Sequence, residues 1–372
     1  MISREKKVRK ASVELGRIVA CLMVIGVHVA LPMTVDNSYD ISRLLFSCFV
    51  ADGVAIFWMI SGFFAFNDKY NYGRSVKKMF KSIAIPSGIY FLFCFYLSEW
   101  LLEGKEIKES IVHPLDDYIM VLKNLMSGDI SMYYSGHLWY VMVYILVVLC
   151  FPIIKVYIDS ISSNRKNTYV FVIAVIGGIL YNDLTGNELA QFAHHGLNGM
   201  IPAMAYMSLG YFFYNKYNDI SNKKYIFWGG VSYVGLNLLR VLILLVRQGH
   251  EFSYYNLLYW YSSIGLGCAV SVLLICFSIV NRAEKKLCNI ICKIASYTFD
   301  VYVVHMLIVS LIERIGIKEF LFEHIGSKGN LFEYIYLLCM IGIVFFISLV
   351  ISICMRKLKS ILQRLPVKRV AN

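Results

Sequence analysis

Repeated runs of about twenty apolar residues constrain this chain more than any other feature. A bilayer core of roughly 30 Å is crossed by a helix of about 20 apolar residues. Runs near that length predict helices over about Ser12–Leu31, Leu44–Phe66, Ile83–Leu101, Leu138–Val156, Thr168–Tyr181, Ile201–Tyr214, Tyr225–Val246, Tyr255–Val280, Ile294–Ile315 and Leu331–Met355. The fifth and sixth are short for a full span. Only 16% of residues are charged, against about a quarter in a soluble domain. Ten helices and their loops use nearly all of the 372 residues. The expected architecture is therefore all-α: a polytopic transmembrane helical bundle of about ten helices. It forms a single domain over residues 1–372, with basic tails at 1–11 and 356–372 and no second, soluble domain.

A net charge of +12 raises the question of nucleic acid. The basic residues instead cluster between apolar runs, as cytoplasmic loops do. Of the 36 Lys and Arg, 26 fall on the side of the N-terminus and eight on the other, with Arg17 and Arg240 inside spans. That asymmetry places both termini in the cytoplasm. Membrane lipid is an expected partner and nucleic acid is not. The basic start followed by an apolar run is similar to a secretion signal. Glu14 and Arg17 interrupt it and no small-residue cleavage site follows, so it is read as a retained first span. No internal repeat is apparent, which weakens an inverted-repeat transporter reading. The ten cysteines are scattered, mostly within apolar runs. The spacing of Cys288 and Cys292 is a weak metal signal, and neither a metal site nor a disulfide framework is expected.

Ionisable residues within a span are costly and usually functional. The first helix holds Glu14, Arg17 and His28. Eleven residues separate Arg17 from His28, close to three turns, so both project from one face about 16 Å apart. Glu14 is three residues before Arg17 and can pair with it. A neutral histidine is a plausible general base. The alternative is a structural histidine beside an interfacial ion pair.

Other segments carry two readings each. Ser61-Gly62, near the end of the second helix, fits either a site or close helix packing. Ser135-Gly136-His137-Leu138-Trp139-Tyr140 opens the fourth helix. Trp139 and Tyr140 fit an interfacial aromatic anchor, but His137 is less expected there. The ninth helix holds Tyr297, Asp300, Tyr302 and His305. Asp300 and His305 are not ideally aligned, and Asp300 fits an interfacial residue. Arg74, Lys77, Lys78 and Lys81 recur every three or four residues and would share a helical face. That face suits phosphates or anionic lipid headgroups. The acids at Glu103, Glu106, Glu109, Asp116, Asp117 and Asp129, and the loop with Asp183, Glu188, His194 and His195, read as solvated external segments.

Taken in order, these motifs resemble the acyltransferase-3 family of bacterial membrane-bound acyltransferases. The family pattern begins with an acid three before an Arg and then a His, here Glu14, Arg17 and His28. A Phe-rich segment ending Ser-Gly follows (Phe57 to Phe63), then a basic segment before a proline (Lys77 to Pro86). Next come His137-Leu138-Trp139-Tyr140-Val141 and, late in the chain, Ser296-Tyr297 through Tyr302 and His305. Nearly the whole chain is covered. The resemblance implies transfer of a short acyl group, commonly acetyl, from acyl-CoA to a hydroxyl of a cell-surface glycan or lipid-linked sugar at the bacterial cytoplasmic membrane. His28 would be the base, with Arg17 essential and Glu14 beside it. Arg74, Lys77, Lys78 and Lys81 would bind the donor phosphates. Ser61, His137, Trp139, Tyr140, Tyr302 and His305 would serve as substrate or structural site residues. Where the family often has Arg-x-x-Arg, this chain has Lys78-Met79-Phe80-Lys81, and lysine lacks the bidentate fork. An oligomer is possible. The competing classes are polysaccharide export or transport, the membrane part of a serine or alanine racemase, and a structural partner of a glycan synthase. The chain ends soon after the tenth helix, so no racemase domain is expected in it.

Overall fold

The computed structural model describes residues 10–30, 34–35, 38–39, 41–66, 71–100, 104–106, 114–127, 135–185, 199–217, 220–246 and 261–362. The basic tail before Lys10, Lys69, and the loop residues Glu188, His194 and His195 lie outside them, as do Glu103, Glu109 and Asp129. Sixteen α-helices are described: α1 (Ala11–Val29), α2 (Ile41–Val50), α3 (Gly53–Ala65), α4 (Tyr72–Met79), α5 (Ile85–Ser98), α6 (Leu115–Ser127), α7 (Trp139–Leu149), α8 (Phe151–Ser162), α9 (Arg165–Thr185), α10 (Met200–Tyr217), α11 (Lys223–Val246), α12 (Ser263–Val280), α13 (Lys285–Ala295), α14 (Thr298–Arg314), α15 (Ile317–His324) and α16 (Asn330–Leu362). A two-residue antiparallel ladder, β1 (Thr34–Val35) with β2 (Ser38–Tyr39), lies between α1 and α2. Hydrocarbon offers no partner for backbone polar groups, so a spanning chain closes its hydrogen bonds within helices.

Among the described residues seven helices are long and apolar enough to cross a membrane, or nine if two bent pairs each count as one span. The helix α10, 18 residues long, is less apolar and packs inside the bundle. Counted with them it would make ten, roughly the predicted number. Contacts mark the two ends. At the basic end Lys10 lies over the Tyr214 ring, and Tyr72 donates to the Leu149 carbonyl. There too Asn281 donates to the Ile220 carbonyl, and Arg356 pairs with Asp300. At the opposite end Arg43 pairs with Glu333, Ser263 donates to Asp183, and Tyr206 donates to the Ser262 carbonyl.

Several predicted boundaries are corrected. The second span is split at Ala51–Asp52 into α2 and α3. The third helix begins well before Ile83: the basic segment from Tyr72 runs through a π-helical turn at Phe80–Ala84 straight into α5. The fourth span bends by 71° between α7 and α8, where Pro152 in the first turn of α8 lacks an amide hydrogen. The ninth starts at Thr298, after a 53° bend from the amphipathic α13. At that bend Ser296 and Thr298 hydroxyls bond the carbonyls three residues back, competing with the backbone ladder. The fifth and sixth spans are longer than expected, at 21 and 18 residues.

The helix α1 is central, packed by α2, α3, α12, α13, α14 and α16. One buried cluster joins it to α3, α7, α10 and α12, and a second joins it to α14 and α16. Helices such as α9 and α11 turn large apolar side chains outward, among them Ile173 and Leu242, which is the surface lipid requires. The ionisable stripe of α1 therefore lies inside a protein shell.

Candidate functional site

The ion pair predicted on α1 forms: Arg17 Nη1 lies 3.1 Å from Glu14 Oε2, with Glu14 2% exposed. Arg17 stands over the Phe64 ring of α3 and lies within electrostatic range of Tyr140 and Tyr144 of α7. Tyr140 and Ser61 share a hydrogen bond of 3.1 Å. Trp58 of α3 lies with its ring 4.2 Å from that of Tyr140, and Phe57 touches both Tyr140 and Tyr302. These groups continue the stripe away from Arg17 toward His28.

Three imidazoles from distant segments meet at its far end. His28, in the last turn of α1, lies 5.3 Å from His305 of α14, centroid to centroid. His305 lies 4.9 Å from His137, which occupies a 3₁₀ turn, Gly136–Leu138, just before α7. Tyr302, one turn before His305, lies against His137 and Tyr140, and its hydroxyl donates to the His137 carbonyl. Tyr90 of α5 closes the group against the His137 ring. His305 is fully buried and His137 nearly so, while His28 is half-buried. Of the predicted residues, His28, Ser61, His137, Tyr140, Tyr302 and His305 come together in one connected cluster. Trp139 lies beside Tyr140.

Arg74, Lys77, Lys78 and Lys81 do not join it. All four are exposed, on α4 and the π-helical turn, and α4 packs at the basic end of α7. Asn71 caps α4 by accepting the Arg74 amide at 2.9 Å. None of the four makes an ion pair with a described acid. His137 is at the other end of α7, so the helix separates the basic face from the imidazoles by about 20 Å at 1.5 Å per residue. Asp300 is not a partner of His305. It sits at the basic end with Arg356, 2.5 Å away. Among the described residues no three His, Cys, Asp or Glu group as metal ligands.

One charged site was missed in the sequence. Asp52, at the break between α2 and α3, is paired with Arg240 of α11, both fully buried. Arg240 Nη2 donates to Asp52 Oδ1 at 2.7 Å, and Nη1 donates to the Cys48 carbonyl at 2.7 Å and to Asn237 Oδ1 at 3.1 Å. Both are ionisable residues within apolar runs, so each is the other's expected partner. Replacing water by these acceptors is what makes a buried guanidinium tolerable.

The fold and this site define a multi-pass helical membrane protein with a buried imidazole and tyrosine cluster. The chain belongs to the acyltransferase-3 family: residues 10–362 match the model of its acyltransferase domain. No curated protein and no solved structure gives a match.

Proposed function

We propose that this protein is an O-acyltransferase moving a short acyl group, such as acetyl, from acyl-CoA to a hydroxyl of a surface glycan or lipid-linked sugar in the bacterial cytoplasmic membrane. The carrying observation is the convergence of His28, His137 and His305 at one end of the stripe that Arg17 begins, in a chain of the acyltransferase family. His28 is the accessible imidazole, so it is the general base that takes the acceptor hydroxyl's proton. The acceptor oxygen then bonds to the acyl carbon and the thioester C–S bond breaks. Arg17, which its pairing with Glu14 fixes in the bundle, lies about 16 Å along α1 from His28, so it acts on the donor's path and not on the reacting carbonyl. The unpaired cations of α4 hold the donor phosphates.

The separation along α7 sets a constraint on this reading. The donor's thioester arm must thread toward His28, or the acyl group must be relayed. Bound density for a nonreactive CoA analogue that ends well short of His28 favours the relay.

The test is acyl transfer from labelled acetyl-CoA by purified protein. His28→Ala is expected to lower turnover by about 10²- to 10⁴-fold, the usual contribution of a general base, and Arg17→Ala to lower it strongly. Undiminished label transfer in both variants removes the assigned site. Uptake of unmodified substrate by reconstituted vesicles, without transfer, points to transport instead.

A further inference from the structure

The two histidines behind His28 are held in defined tautomers. His305 Nδ1 lies 2.6 Å from the Tyr302 carbonyl oxygen. A carbonyl oxygen only accepts, so Nδ1 carries the proton and Nε2 is a bare lone pair. His137 Nε2 lies 3.0 Å from the Val303 carbonyl oxygen, so there Nε2 carries the proton and Nδ1 is bare. Successive carbonyls of one turn of α14 therefore set both rings. The two bare nitrogens, His305 Nε2 and His137 Nδ1, are buried with no hydrogen-bond partner. Buried acceptors are rarely left unmatched, so these two call for a donor.

The half-buried imidazole against His305 is His28. No N–H···N bond joins the two rings in this structure, but a 5.3 Å centroid separation leaves room for one of about 3 Å between the ring edges once His28 is protonated. We propose that His305 is a positioning residue for His28: its bare Nε2 receives the N–H of the imidazolium that His28 becomes, sharing the charge between the two rings. The inference rests on His28 acting as the base. In the balanced step the acceptor O–H proton passes to one nitrogen of His28. The other nitrogen's N–H donates to His305 Nε2 without transfer. The acceptor oxygen bonds to the acyl carbon, the C–S bond breaks, and the thiolate takes the proton from His28. His305 plays the part that a carboxylate plays behind a catalytic histidine, and does so without a charge of its own. The titratable groups around the three rings are Tyr302 of α14, Tyr140 of α7 and Tyr90 of α5, with Arg17 eleven residues away on α1. No described carboxylate is bonded to any of the three rings.

The experiment is a ¹⁵N-histidine NMR titration of the full chain in nanodiscs. In the unmutated protein His305 is expected as the Nδ1–H tautomer, and a ¹⁵N–¹⁵N coupling across the hydrogen bond to His28 is expected below the His28 midpoint. His305→Phe, which fills the space without an acceptor, is expected to move that midpoint down by about one unit, a tenfold loss of proton affinity. His305→Gln, which restores an acceptor, is expected to recover most of it. In transfer assays kcat should follow the same order with the donor KM unchanged. An absent coupling in the unmutated protein, or an unmoved midpoint in His305→Phe, overturns the inference, and the first readout needs no variant to fold. If the protein transfers no acyl group while the coupling is present, the base reading fails and the histidine pairing stands.

Discussion

Gly62 of α3 and Gly210 of α10 each face the other helix's backbone: a Cβ on Gly62 would collide with the Met207 carbonyl, and one on Gly210 with that of Met59. The two helices therefore touch backbone to backbone, the small-residue packing that substitutes for a hydrophobic driving force in lipid. It also explains Ser61-Gly62. The glycine is the packing contact, and the serine beside it is turned to Tyr140. Gly62→Ala is expected to cost about 1–3 kcal/mol through overpacking, read as a lower unfolding midpoint in detergent. Gly88→Ala, where a Cβ meets nothing within 4 Å, should leave that midpoint unchanged.

Removing one member of the Asp52–Arg240 pair strands the other in a fully buried site. Arg240→Met alone is expected to destabilise by about 3–5 kcal/mol. Adding Asp52→Asn should recover a large part, because no uncompensated charge then remains. A double-mutant cycle on thermal unfolding measures this. Additive losses in the double variant would show that the two residues act separately.

Lys77, Lys78 and Lys81 stand on an exposed face without acidic partners, so their charge is available to a ligand. Changing all three to Gln is expected to raise the donor KM about tenfold, some 1.4 kcal/mol, with little change in kcat. The effect should shrink as salt rises, because exposed charges are screened over about 10 Å at 0.1 M. Transfer kinetics against donor concentration at two salt levels decide it. A kcat loss at constant KM would place these lysines elsewhere in the cycle.

The Tyr302 hydroxyl ties α14 to the turn that presents His137. Tyr302→Phe keeps the ring and deletes the tie, at an expected cost of about 1 kcal/mol in stability. Turnover should fall several-fold as the His137 turn loosens. An unchanged melting curve with unchanged turnover would show the tie to be dispensable.

Much of the site was legible because intramembrane polar residues are rare. His28, Arg17 and Glu14 stood out against an apolar run, and three-turn periodicity placed them on one stripe. His137 and His305 were visible as candidates, but their meeting was not, because 166 residues separate His137 from the α14 carbonyl that holds it and only packing brings them together. Asp52 escaped for a different reason. It lies in the middle of a predicted continuous helix, and the break that accommodates it is enforced by Arg240, a tertiary partner. The bend at Pro152 was missed within the predicted Leu138–Val156 helix, although proline's absent amide hydrogen could have signalled it. The one at Ser296–Thr298 depends on hydroxyls turning to particular carbonyls. The all-helical, multi-pass architecture followed from composition, with seven to nine described spans against about ten expected, since lipid leaves the backbone so few alternatives.

The separation of Asp52 from Arg240 by 188 residues bears on how the protein is made. At about 5–20 residues per second of synthesis, Asp52 is offered to the bilayer roughly ten to forty seconds before its counter-charge exists. Until the seventh span arrives, Asp52 can enter only in its neutral, protonated form or sheltered from lipid. The ion pair therefore closes well after the second span has left the ribosome.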